Sequence, residues 1–260
     1  MTPDDDVCLE RLPFPVHCDA AGTWSSGRDV EVRIECPSTV PETRPLLRSI
    51  VGRFVALANS GALAGDAIPP WKSGLSLSPG SGIQPGAVVV RFASSRVHPG
   101  AWTVLLNMLL PWHAVIEISS IRVTSGGPVR RWHADVWGSD ILPPAYGLLP
   151  FALDDEEPES GAYTFTARCV EPIREDALQG LRDALNTWVA VVQAGGYEIA
   201  TEPPASSYVE PGDDGLIAFG STMEWSIFKV RADPDCIDGI INIFAAHHHR
   251  IQPIASLEIT

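Results

Sequence analysis

Three successive histidines stand in Phe244-Ala-Ala-His-His-His-Arg-Ile251, and imidazole is the side chain most often used to hold a metal. A helix brings two ligands together at positions i and i+4, yet no acid, Cys or His stands four residues before or after His247, His248 or His249. Counting about 100° per residue from Ile237, the stripe Ile237, Ile240, Ile241 and Phe244 points inward. His248 then falls on the same face, His247 at its edge and His249 outside. A structural role is expected, because imidazoles in a last helical turn bond the free carbonyls and favour the helix dipole. Neither a metal nor a cofactor is expected.

Two other clusters carry chemically capable groups. Asp233, Asp235 and Asp238 place three carboxylates within six residues, the donor type of a hard cation. They equally suit the start of a helix, with Asp235 as N-cap and Asp238 in the first turn. Arg130-Arg-Trp-His-Ala-Asp-Val-Trp137 combines cations, aromatics and a His/Asp pair. There Arg131, Trp132, His133, Asp135 and Trp137 form either a packed cover or a small-molecule pocket at a junction. The sequence holds no G-x-S-x-G elbow, Walker loop, G-x-G-x-x-G after a strand, or H-E-x-x-H, so no catalytic residue is assigned.

The elements that position these groups emerge from an internal repeat. Leu47-Arg-Ser-Ile-Val-Gly-Arg-Phe-Val-Ala-Leu-Ala-Asn-Ser-Gly61 matches Leu181-Arg-Asp-Ala-Leu-Asn-Thr-Trp-Val-Ala-Val-Val-Gln-Ala-Gly195 at an offset of 134. Val32–Cys36 matches Phe165–Cys169 at 133, Leu106 and Asn107 match Ile241 and Asn242 at 135, and Leu12-Pro-Phe14 recurs as Leu149-Pro-Phe151. His113 is the partner of His248. The chain thus divides into 1–123 as a first repeat with its lead-in, 124–148 as a connector, and 149–260 as a second repeat.

In each copy a strand alternating every second residue (30–36 in the first) leads into a helix of about four turns closed by Gly61 or Gly195. A weak strand follows at 75–78 or 207–210, then a strong one at 87–93 or 223–230. The second helix starts near Gly100 or Asp235, and the last strand is expected at 116–123 or 254–259. This β-α-β-β-α-β order resembles the ferredoxin-like unit. The expected fold is α+β, an internal duplication giving two antiparallel sheets, or one continuous sheet, each unit covered by two helices. That resemblance concerns topology and transfers no functional residue.

Charge separates the copies. Residues 1–130 carry 11 acidic and 11 basic residues, and residues 131–260 carry 21 and 7, so the whole net charge of −14 lies in the second half. Lysine occurs only at 72 and 229, and such a chain repels a phosphate backbone, so nucleic acid is not an expected partner. The five cysteines (8, 18, 36, 169, 236) include no C-x-x-C pair and read as reduced thiols in the core. No apolar run reaches the roughly 18 residues of a membrane span, and Met1-Thr-Pro-Asp-Asp-Asp6 lacks the marks of a secretion signal, so a cytoplasmic location is expected.

These features point to a non-enzymatic binding protein, in its most concrete form an immunity or antitoxin-like inhibitor of a basic protein such as a toxin domain. Its expected contact residues are the acids of the second half: Asp154, Asp155, Glu156, Glu157 and Glu159 in a solvated loop, then Asp213, Asp214, Asp233, Asp235 and Asp238. The alternatives are a small-ligand regulatory protein, similar to tandem ACT-type modules that bind effectors where two units meet, and an enzyme with its site in the cleft between repeats.

Overall fold

The computed structural model describes residues 14–19, 28–36, 43–65, 68–79, 81–84, 86–98, 100–125, 129–131, 149–155, 161–197 and 207–260. Trp132, His133, Asp135 and Trp137, with Glu156, Glu157 and Glu159, lie outside the described residues, and Arg131 is described through its backbone alone.

Val30, Val32 and Ile34 are buried while Glu31, Arg33 and Glu35 between them are partly exposed, the pattern of a strand with one face on a core. Around this strand the first half places β1 (Val16–Asp19), β2 (Arg28–Glu35), α1 (Thr43–Ser60), β3 (Gly74–Leu77), β4 (Gly82–Gln84) and β5 (Ala87–Arg96). It continues with α2 (Ala101–Leu109), α3 (His113–Ile116), β6 (Ser120–Thr124) and β7 (Val129–Arg131). The second half comprises β8 (Ala152–Asp155), β9 (Tyr163–Cys169), α4 (Glu175–Val192), β10 (Tyr208–Pro211), β11 (Ile217–Phe219), β12 (Thr222–Arg231), α5 (Asp235–Arg250) and β13 (Ile254–Ile259).

The fold is α+β with two mixed sheets. One runs β3-β5-β2-β6-β1-β7 with β4 also on β5, and the other runs β10-β12-β9-β13-β8 with β11 also on β12. Neither sheet is purely antiparallel as expected, because the lead-in of each half adds a strand: β1 lies parallel to β6 and β8 parallel to β13. These four-residue strands cover edges that the last strands would otherwise leave open, and they are too short to show a period in the sequence. Asp154 and Asp155, expected in a loop, belong to β8, where they pair with Glu258 and Ile259. The strand expected from residue 116 starts at Ser120, since the helical stretch continues past Pro111 into α3 and ends at Glu117, whose φ is 54°.

Phe54 and Trp188, at matching points of α1 and α4, are both fully buried, as are Leu106 and Ile241. Phe54 meets Phe92 and Trp102 at centroid distances of 6.1 and 5.6 Å, and Trp188 stands edge-on to Trp225 at 5.9 Å. Helices of the two halves also pack on each other. Every residue of α2 is buried, and Asn107 Nδ2 donates to the Gly196 carbonyl at the far end of α4, 3.3 Å away. Gly61, whose φ of +99° terminates α1, sits so close to α5 that a Cβ there would lie 2.6 Å from Ala246 Cβ. Cys36, Cys169 and Cys236 are free and buried.

Candidate functional site

The histidines at the end of α5 part ways. His247, expected at the edge of the buried stripe, is buried outright, because α5 is covered by its own sheet, by α4 and by the first half's α1 and 70–73 turn. Among the described residues its Nε2 has no hydrogen-bond partner, and burial holds its pKa down at about 4, with Arg174 adding to the effect. His248 is half-buried; its Nδ1 lies 3.0 Å from both the N–H and the carbonyl oxygen of Ile254, and its ring tilts on Phe151 at 6.2 Å. His113 behaves alike, with Nδ1 2.8 Å from the Leu110 oxygen and its ring 6.4 Å from Phe14. His249 is exposed and lies over Trp71 at 3.7 Å. Among the described residues no group of three His, Cys, Asp or Glu is arranged to hold a metal ion.

One carboxylate at the start of α5 bonds the backbone. Asp233 Oδ1, rather than Asp235, accepts the first free N–H, that of Asp235 at 3.1 Å, while Asp235 and Asp238 lie in the first turn. In the first half His98 Nδ1 accepts the N–H of Gly100 at 3.1 Å, so an imidazole makes the backbone bond at the position where the second half has an acid. Burial, reinforced by Asp233, Asp235 and Asp238, raises the pKa values of Cys236 and Tyr197 well above the ordinary, leaving a protonated thiol and phenol in the interior.

The remaining acids do not form one patch. Asp154 and Asp155 lie on edge strand β8, whereas Asp213 and Asp214 follow β10 at the opposite edge of the same sheet. Four inter-strand steps of about 4.8 Å separate those edges by roughly 19 Å.

The edge made by β10 and β11 is the most distinctive surface. Gly215 N–H donates to the Gly212 carbonyl at 3.0 Å, closing a turn with Asp213 and Asp214 at its centre, and Gly215 takes a φ of +61°. Aspartates and glycine suit such a turn, which thrusts both carboxylates into solvent. Neither is in an ion pair among the described residues, whereas Glu210 is bonded to Lys229 at 2.7 Å. Aromatics flank the turn. Tyr208 and Phe228 stand on one side, 46% and 43% exposed, and Phe219 at the β11–β12 hairpin is 69% exposed. Glu210 pairs directly with Phe228, and a bulge between Tyr208 and Glu210, near Lys229 with its φ of 53°, interrupts the ladder.

Sequence reasoning named the two aspartates and did not name the exposed aromatics along the same strands. Tyr208 and Phe228 stand at alternating positions that the period-two rule would assign to the solvated face of their strands, and that assignment was the available signal. Of the proposed junction pocket, only the Arg131 backbone is described, in β7 beside His17. No known family model matches the chain, and no curated protein matches it.

Proposed function

We propose that the chain is a duplicated ferredoxin-like unit acting as a non-enzymatic, immunity or antitoxin-like inhibitor that docks the β10–β11 edge of its acidic half on a basic protein. The fold reading is supported by the shared order of elements, β2-α1-β3-β5-α2-β6 and β9-α4-β10-β12-α5-β13, with the corresponding strand orders β3-β5-β2-β6 and β10-β12-β9-β13. The paired packing of Phe14 on His113 and Phe151 on His248 supports it further.

One observation carries the functional reading: exposed Tyr208 on β10 precedes and exposed Phe219 on β11 follows the turn that holds Asp213 and Asp214, with exposed Phe228 on the neighbouring β12, and the two aspartates have no ion-pair partner among the described residues. Exposed aromatics serve as anchors that desolvate on contact, and the carboxylates steer a cationic surface onto them. Asp154 and Asp155 at the far edge add only long-range field. Asp233, whose Oδ1 is held by the Asp235 N–H, is left out of the contact set.

The test is affinity capture on the full chain, followed by association kinetics with the captured protein at low and high salt. Asp213→Asn with Asp214→Asn should slow association and flatten its salt dependence, while Arg53→Gln should not. Phe228→Ser should chiefly raise the dissociation rate. An acidic partner, or an association rate indifferent to salt, would remove the reading.

A further inference from the structure

The two halves are filled unequally, and the difference leaves a cavity of about 390 Å³ in the first, between α1 and the β4–β5 edge. Arg44, Leu47, Arg48 and Val51 reach it from one face of α1, and Val88 and Val90 from β5. Ladder register shows what stands at the same places in the second half. Val32 pairs with Val90 as Phe165 pairs with Trp225, and Ile34 pairs with Val88 as Ala167 pairs with Met223. Gly82 pairs with Val89 as Ile217 pairs with Glu224, so Ser81 precedes its strand as Leu216 precedes β11.

Trp225, Met223, Leu216 and Leu185 are all buried there, whereas the first half has Val90, Val88, Ser81 and Val51. Four large side chains are thus replaced by smaller ones around one space, a loss only partly offset where Ile34 and Ile83 stand at the register positions of Ala167 and Ala218. Ser81 does not fill it, because its hydroxyl accepts the Arg91 N–H at 2.9 Å.

Charge differs in the same place. Arg182, the counterpart of Arg48, is engaged by the Leu216 carbonyl at 3.1 Å and by Gln179 at 3.1 Å. Arg48 and Arg44 have no ion-pair partner among the described residues, and the counterpart of Arg44 is Leu178, packed on the core. The first half therefore carries two exposed cations one helical turn apart over an open hollow with a valine floor and a polar rim, whose size lies within the roughly 300–1,000 Å³ of ligand pockets.

We propose that this cavity binds an anionic amphiphile, its carboxylate or phosphate head against Arg44 and Arg48 and its apolar body on Val51, Val88 and Val90. The site lies in the first half and needs nothing of the acidic edge, so it can fail or stand independently of the inhibitor reading.

Calorimetric titration of the full chain with decanoate, decyl phosphate and decanol tests it, all below their micellar or solubility limits. One anion or both should bind saturably at one per chain with a negative heat-capacity change. A preference for decanoate assigns a fatty-acid-type ligand, and a preference for decyl phosphate an alkyl phosphate. Arg44→Gln with Arg48→Gln, both exposed and expected to fold, should weaken anion binding about tenfold or more and bring it down to that of decanol. Val90→Trp or Ser81→Leu, which install the second half's residue, should abolish binding in a protein whose near-ultraviolet dichroism stays native-like. Failure of both anions to bind overturns the proposal. So does binding that survives the arginine replacements, or binding that survives a folded cavity-filling variant.

Discussion

Removing His247 should flatten the acid limb of the stability profile. Folding lowers the pKa of this imidazole from 6.5 to about 4, because burial disfavours the cation and Arg174 repels it, an effect Asp176 only partly offsets; His248 is the other titratable neighbour and also lowers it. Below the unfolded pKa the unfolded chain binds a proton that the folded chain refuses, so stability falls as the pH drops through the window from 6.5 to about 4 and levels off beneath it. A difference of 2.5 pKa units corresponds to about 3.4 kcal/mol over the whole window, of which about 2.5 kcal/mol falls between roughly pH 7 and pH 4.5. His247→Leu keeps an apolar side chain of similar size and removes a buried nitrogen without a partner, so it should be near neutral or stabilising around pH 7. Urea denaturation followed by tryptophan fluorescence, for both proteins at the two ends of the window, reads the difference. Equal loss of stability in wild type and variant would refute the buried neutral imidazole.

Truncating either central aromatic, Phe54→Ala or Trp188→Ala, should cost roughly 3–5 kcal/mol in chemical denaturation, since both rings are fully buried and each joins its own aromatic cluster. Arg250 reaches from α5 into the first half, donating to the carbonyls of Asn59, Pro70, Trp71 and Ser73. Arg250→Met should lower stability by about 2 kcal/mol, well short of the sum of four charged hydrogen bonds because water can reach the vacated carbonyls. Hydrogen exchange would place that loss at the end of α1 and the 70–73 turn, and protection unchanged there would contradict the role.

The order of elements was legible in the sequence because each signal occurred twice. Leu47, Ile50, Phe54 and Leu57 in one copy and Leu181, Leu185, Trp188 and Val192 in the other recur at helical spacing, and Gly61 and Gly195, with φ of +99° and +87°, close their helices as a residue without Cβ can. The burial of Cys36, Cys169 and Cys236 was equally readable, being a property of alternating strands and a helical stripe. Four features were decided only by tertiary packing. The helical wheel placed His247 at a margin because it assumes one buried face, and α5 has more than one once the halves meet. The lead-in strands β1 and β8 have four residues each, too few for a period, and exist because a free edge lies beside them. The edge around Asp213 and Asp214 carries Tyr208 and Phe219 beside Phe228 of the neighbouring strand, and the cavity under Arg44 and Arg48 depends on which aligned residues face one space. Local periodicity specifies which way a side chain points, but what it meets there is set by the pairing of segments far apart in the chain.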